Sequence, residues 1–388
     1  MRDATLVLNG GSSSLKFAVF EERDDLHLVA RGSVSSMGHH PRLRVAPTAI
    51  SAEIDRSMGE GPVDIAKAFS VVASLLADRG LLRLIGKVGH RIVHGGRNFA
   101  EAVPLDASAI QALQRLEPLA PIHQAINLEI VALATDLLPE AIQVGCFDTA
   151  FHTARPELAK LYGLPREMSQ QGIVSYGFHG LSYSHIAQKL RSRYGVGAGG
   201  RAIVAHLGSG ASLCAMRAGV SVATTMGFST LDGLVMSTRC GALDPGVILH
   251  LLQDRKLSCD ELTEILYERS GLLGVSGISG DMQDLLGSKD SAAAQAIDLF
   301  VYRIGREIGS LAAALGGIDT LVFTAGIGEH AAEVRKKICA TAEWLGVALN
   351  NDLNHDGGEL VSAPTSRVDI LVIPADEERA VAAALSKF

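Results

Sequence analysis

The sequence predicts an α/β protein of two domains, the second repeating the plan of the first. Three observations lead there. The chain has 388 residues, more than one hydrophobic core usually serves. Short apolar runs alternate with amphipathic stretches, which implies α/β layers on a mixed sheet. A unit of strand, small-residue loop and strand occurs at residues 5–20 and again at 202–216, weak in identity but alike in plan.

The elements follow in order. Residues 5–8 and 15–20 are runs of strand formers around Asn9-Gly10-Gly11-Ser12-Ser13-Ser14, a turn-forming cluster. Ile65, Phe69, Val72 and Leu76 recur three or four apart before Gly80, so residues 62–79 form a helix with a glycine stop. Residues 88–93 are a strand between glycines, Asp106 caps a helix toward Leu116, a helix covers 124–138, and 142–147 is a buried strand. In the second half, strands 202–207 and 212–216 flank Gly208-Ser209-Gly210-Ala211. A long helix over 290–315 ends at Gly316-Gly317. Strand 320–323, a turn at Gly326-Ile327-Gly328, helix 331–344, strand 370–373 and helix 376–386 complete the series. Gly195 to Gly200 is a surface turn and a minor boundary candidate.

Composition narrows the function. Hydrophobic residues are 47% and charged residues 20% of the chain, an ordinary globular balance rather than a disordered one. The formal net charge is −7, which argues against a general nucleic-acid role. An anionic substrate must then be drawn in by a few local cations. Cys146, Cys214, Cys240, Cys259 and Cys339 are odd in number and contain no C-x-x-C. A disulfide framework and a structural zinc site are both disfavoured, and a reducing cytoplasm is expected. The N-terminal apolar run is too short for a signal segment, and no stretch nears the ~18 apolar residues of a membrane span. A soluble protein is expected.

Small-residue loops follow apolar strands at 9–14, 208–211 and 326–328. Glycine lets backbone N–H groups approach a phosphate and serine adds hydroxyls. Ser12, Ser14 and Lys16 combine hydroxyls with a cation, which suits a β- or γ-phosphate; a plain hairpin turn is the competing reading. Gly326-Ile327-Gly328-Glu329-His330-Ala331 also has the G-x-G-x-x-A form of dinucleotide-binding folds, with Asp352 as a ribose partner, so a dehydrogenase stays as an alternative. Arg91 lies in a short strand between glycines and Arg239 among small and apolar residues. Each offers a fork for carboxylate or phosphate, or else a structural ion pair. Asp148 stands at a strand end, where a carboxylate is well placed for a site or a cap. His179 lies in the glycine-flanked turn Tyr176-Gly177-Phe178-His179-Gly180. His90 and His94 are not read as a metal pair, and His123 is read as structural.

Together these segments resemble the acetate kinases, the acetokinase family of the superfamily shared with actin, Hsp70 and sugar kinases. The match runs from residue 5 to about 384. Its blocks are 9–16, 89–96, 147–152, 176–180, 205–212, 226–241, 324–329 and 374–378, in the family's order. The resemblance implies two duplicated ribonuclease-H-like domains with an interdomain active-site cleft, at 1–148 plus 375–388 and at 149–374. It implies transfer of the ATP γ-phosphoryl group to the carboxylate of acetate or propionate, with Mg²⁺ (or Mn²⁺) as metal, in a cytoplasmic homodimer that binds neither nucleic acid nor membrane. It makes Asp148, Arg91, His179 and Arg239 catalytic. Nucleotide would be lined by His206, Leu207, Gly208, Ser209 and Gly210, by Asp281, Met282 and Gln283, and by Gly326, Ile327, Gly328, Glu329 and His330. Arg91, Val93, Ile122, Phe178 and Thr230 would form the acyl pocket, and Asn9 and Glu377 would reach the metal through water.

Several positions depart from the family's pattern. Gly10 replaces a serine, alanine or cysteine, Ser209 an asparagine, Gln283 an arginine and Thr230 a proline, and Gln124-Ala125-Ile126 replaces Asn-Pro-Pro. Ser209 and Gln283 bear on nucleotide preference, and Thr230 on the length of the acid. A nucleotide-binding regulator without turnover is a third reading; the retained Arg91, Asp148, His179 and Arg239 argue against it. A carboxylic acid of pKa ~4–5 is already ionised at neutral pH, so the chemistry needs no general base. Asp148 is expected to act through metal or water positioning.

Overall fold

A computed structural model describes residues 3–11, 13–22, 25–38, 40–48 and 53–388, with the side chains of Pro121 and Ile122 outside that set. The chain forms two compact units, Met1–Phe151 with Asp376–Phe388, and His152–Ala375.

In the first unit the strands are β1 Ala4–Gly10, β2 Leu15–Glu22, β3 Leu26–Ser35, β4 Arg42–Val45, β5 Ile54–Ser57, β6 Ile85–Ile92, β7 Val103–Pro104 and β8 Ile142–Phe147. The helices are α1 Ile65–Asp78, α2 Ala107–Gln114 and α3 Pro121–Leu137. In the second unit α4 Arg166–Gln170 and α5 Gly180–Tyr194 precede β9 Arg201–Leu207, β10 Ala211–Arg217 and β11 Val220–Thr224. There follow α6 Pro245–Gln253, α7 Cys259–Glu268, α8 Gly271–Ser276, α9 Met282–Gly287 and α10 Ser291–Leu315. The unit closes with β12 Thr320–Thr324, α11 Ala325–His330, α12 Ala332–Thr341, α13 Asn351–His355 and β13 Asp369–Val372, and α14 Glu377–Ala384 belongs to the first unit.

The repeated plan is visible in the sheets. The first runs β5-β4-β3-β2-β1-β6-β8-β7 and the second β11-β10-β9-β12-β13. In each, three strands meander antiparallel and two more join parallel, as β3-β2-β1-β6-β8 and as β11-β10-β9-β12-β13. Strands β4, β5 and β7 extend the edges of the first sheet. Mid-sheet β1 is buried along its whole length, so its centre, Leu6-Val7-Leu8, reads as a continuous apolar run and not an alternating one.

Caps set several helix ends. Asp106 accepts from Ala109 N (2.8 Å) and Asp290 from Ala292 N (2.8 Å), satisfying donors that a helix start leaves open. Gly316, at φ 75°, ends α10 in the left-handed conformation. In the first unit Leu6, Leu8, Phe17 and Val19 pack with Phe69, Val72, Leu76 and Ile130 of α1 and α3. Gly10 explains one departure from the family pattern. A β-carbon there would stand 2.0 Å from Ile130 Cδ1, so the small residue on β1 and the large one on α3 fit together. In the second unit Phe300, Ile304 and Ile308 bury the inner stripe of α10.

Two expectations are corrected. Gly326 to Gly328 is not a turn but part of α11, entered through Ala325 at φ 65°. Asp352 sits in the first turn of α13 rather than at a strand end, so it is not the acidic partner of a dinucleotide fold.

Candidate active site

The first unit gathers its charges at the ends of β1, β6 and β8. Arg91 on β6 donates from Nε and Nη2 to both oxygens of Asp148 (2.7–3.2 Å) and from Nη1 to Asn9 Oδ1 (2.9 Å). Asn9 Nδ2 donates to Glu377 Oε2 (2.9 Å) and Glu378 Oε1 (3.1 Å) on α14. Asp376 caps α14, accepts from Arg379 N (3.0 Å) and pairs with Arg31 of β3. Asp148 is 1% exposed. Burial pushes its carboxyl above the usual range, Arg91 pulls it back, and Glu377 adds to the rise. Burial works against the Arg91 charge, but Asp148 and Glu377 hold it protonated. With both oxygens on Arg91, Asp148 orients that guanidinium.

Other predicted residues of this unit scatter. Lys16 is exposed and lines a cavity of about 450 Å³ with Arg31, Ser33, Arg44 and Glu378. Ser14 accepts from Gly11 N through its carbonyl (2.8 Å), and Ser12 lies outside the described residues. Val93 is buried beyond β6 and its N–H donates to Asn127 Oδ1 (2.9 Å). The Ile122 side chain lies outside the described set. Gln124 does structural work: it accepts from His94 N and donates to the His94 and Leu113 carbonyls (3.1–3.3 Å). His90 bonds Gln143 (2.8 Å), and burial lowers both His90 and His94 to about 4, which suits framework histidines.

In the second unit the turn before α5 is held from several sides. Arg155 Nη2 donates to the Ser175 and Tyr176 carbonyls (2.6 and 2.8 Å), and Tyr176 N and Gly177 N donate to Gly227 O. His152 Nε2 donates to Phe178 O (2.9 Å) while its Nδ1 accepts from Ser221 (2.9 Å). Burial keeps His152 neutral, lowering it to about 3. These bonds hold His179 as the N-cap of α5 at φ 59°, a conformation costing a non-glycine residue ~1–2 kcal/mol. Its ring stacks on His206 (centroids 4.2 Å apart) and its Nδ1 meets Ser212 Oγ (2.9 Å). Arg239 Nη1 donates to Thr230 O (2.8 Å).

Gly210 stands where the two donors converge. A β-carbon there would lie 3.3 Å from His179 Nε2 and 3.5 Å from Arg239 Nη2. Gly210→Ala is therefore expected to lower kcat about tenfold, because the His179 ring must yield slightly while Arg239 stays at ordinary contact distance, with little change in melting temperature. Full activity in that variant would place the reaction elsewhere.

Next to Gly210 opens a cavity of about 500 Å³. Gly208 and Ser209 line it from the β9–β10 turn, Asp281, Met282 and Gln283 from the start of α9, and Gly326, Ile327 and His330 from α11. Three segments far apart in sequence thus share one wall. Ser237, Gly280 and Leu286 also line it and carried no signal of their own in the sequence. His206 and Leu207 are buried in β9, Gly328 is buried in α11, and Glu329 accepts from Ala375 N (2.9 Å); none of these four lines the cavity.

The acetokinase family model matches residues 4–383. The chain belongs to the acetokinase family. An acetate kinase of Rhodopseudomonas palustris is 48% identical, over 98% of this chain and 97% of its own. Among solved acetokinase structures, a propionate kinase from Francisella tularensis superposes with a TM-score of 0.90 at 32% identity, covering 98% of each chain. The Porphyromonas gingivalis acetate kinase gives 0.85 at 34% identity, again over 98% of each. An acetokinase is a kinase with a carboxyl acceptor, so the dehydrogenase alternative falls. The described part of this acetokinase has no helix long and apolar enough to cross a membrane.

Proposed function

We propose that this acetokinase transfers the γ-phosphoryl group of ATP to the carboxylate of acetate, reversibly, giving acetyl phosphate and ADP. The observation that carries the reading is the convergence of His179 Nε2 and Arg239 Nη2 beside Gly210, one residue from a cavity that Ser209 lines. Nucleotide occupies that cavity, and the two donors meet the migrating phosphoryl group. Arg91, oriented by Asp148, binds the acyl carboxylate. The acid attacks phosphorus in line as its anion. The chain's task is to hold two anions together, which it does by alignment and by fixed positive groups.

Mg²⁺ fits the first unit's charge pattern. Asp148, Glu377 and Glu378 are carboxyl groups around Arg91 and Asn9, leaving negative charge for a cation to offset. Among the described residues no three His, Cys, Asp or Glu are arranged to hold a metal by themselves. That matches an ion that keeps its waters and shares one or two protein groups with substrate phosphates. Asn9 and Glu377 would hold it, and when bound it neutralises phosphate charge.

We place the protein in the cytoplasm as a homodimer. All five thiols are unpaired, with Cys146, Cys214 and Cys339 pushed up to about 12 by burial. Helix α6 has no buried residue although Val247, Ile248, Leu249, Leu251 and Leu252 are apolar. Val247 and Leu249 are exposed on it, and exposed apolar residues on one helix favour a partner surface. Leu249→Asp should sediment as a monomer beside a dimeric parent; a monomeric parent refutes the dimer.

The deciding experiment is acyl hydroxamate formation from Mg-ATP, hydroxylamine and acetate, with propionate in parallel. Product with acetate supports the reading, and the ratio of the two acids shows what Thr230 does. No product from protein that binds ATP overturns it.

A further inference from the structure

We infer that Ser212 and Tyr183 are positioning residues that fix the tautomer of His179, so that the ring proton sits on Nε2. The inference rests on the reading of His179 as a donor to the phosphoryl group. Ser212 is fully buried on β10, paired in register with His206 of β9. Tyr183 is fully buried on α5, one turn after His179, whose carbonyl accepts from Tyr183 N (3.0 Å). Their hydroxyls are 2.5 Å apart, and Ser212 Oγ is 2.9 Å from His179 Nδ1. The three groups form one chain from the unit's interior to the ring.

Its direction follows from donor strength. A phenol is more acidic than an aliphatic alcohol, and the alcohol oxygen is the better acceptor. Tyr183 therefore donates to Ser212, and burial, raising Tyr183 well above 10, keeps its proton in place. Ser212 Oγ accepts that bond and gives its own proton to Nδ1. An imidazole that accepts at Nδ1 carries its N–H on Nε2. Nε2 is the atom that faces Gly210 beside Arg239 Nη2. The ring thus offers a donor where charge develops. Stacking on His206, itself bonded to Ser182 (2.8 Å), fixes the ring plane. Ser212 and Tyr183 act through His179 and move no proton themselves.

The test combines a spectrum with kinetics on the full-length enzyme. With ¹⁵N-histidine labelling, and His179 assigned by its loss in His179→Ala, the parent should show protonation at Nε2. Ser212→Ala should shift His179 toward a tautomer mixture. It should lower kcat on the order of 10- to 100-fold, less than the ~10²–10³ for losing a whole donor. KM for ATP and acetate should stay near the parent's, and Ser212→Thr should restore most of kcat. Tyr183→Phe should show a smaller loss of the same kind. A parent ring protonated at Nδ1 overturns the inference, and His179→Gln gives the same assignment should His179→Ala fail to fold. So does a Ser212→Ala enzyme within twofold of the parent beside an inactive His179→Ala. An active His179→Ala overturns the reading of His179 itself.

Discussion

Arg239→Ala is expected to lose on the order of 10³-fold in kcat for acyl phosphate formation, as other phosphoryl-stabilising arginines do. In the folded chain its Nη1 is tied to Thr230 O (2.8 Å), which leaves Nη2 at the edge of Gly210 with His179 Nε2. The tether fixes one arm of the fork. Deleting the side chain removes that charge and the bond to the Thr230 carbonyl. The bond is worth ~1 kcal/mol, so melting should shift by no more than a few degrees. Arg239→Lys restores charge without the fork and should recover only part of the loss. The hydroxamate assay with purified variants reads all of this. A loss below about tenfold would remove Arg239 from the reaction centre.

Arg91→Ala should cost both activity and stability. Asp148 has its oxygens on Arg91 and almost no exposure. Removing the guanidinium leaves that carboxylate buried beside Glu377, and breaking a buried pair costs ~3–5 kcal/mol. Without Arg91, burial raises the Asp148 carboxyl further, and a proton taken up from solvent limits the loss. A carboxyl raised in the folded state loses stability as pH rises through its folded value, so the variant should be weaker at pH 8 than at pH 5. Arg91→Ala with Asp148→Ala should recover part of the stability and none of the turnover. Urea midpoints and hydroxamate rates separate the two effects. An unstable but fully active Arg91→Ala would make the pair purely structural.

The sequence made the doubled strand–loop–strand plan legible, because β1, β2, β9 and β10 are apolar runs joined by loops of glycine and serine. Helix α10 was legible too, from a regular stripe between Asp290 and Gly316. Strands β4 and β5 were not. They are four residues long, carry Arg42, Arg44 and Asp55, and earn their place by pairing with a sheet edge. Helix α6 is nine residues long and opens on Pro245-Gly246, too short a stretch for a period to stand out. Gly326 and Gly328 looked like a turn, yet Ala325 absorbs the bend and both glycines continue as helix. Arg91 of the first unit and Arg239 of the second stood out as charges in apolar company. Ser212, Tyr183 and His152 did not, since a buried hydroxyl or imidazole gains meaning only from neighbours 30 to 70 residues away.

Helix α14 packs against β1 and β6 and presents Glu377 and Glu378 to Asn9. During synthesis Asp376 is made 225 residues after Phe151, where the rest of that unit ends. At ~5–20 residues per second this is a wait of roughly 10–45 s. For that time the nascent first sheet lacks one cover, and Asn9 lacks its carboxylate partners. The second unit is continuous from His152 to Ala375, so a ribosome that stalls just before Asp376 has already made the residues that line the cavity beside Gly210, with His179 and Arg239. Such a truncated chain has no Glu377. An interrupted product keeps its second unit whole, yet leaves Asn9 without the two carboxylates that α14 brings to it.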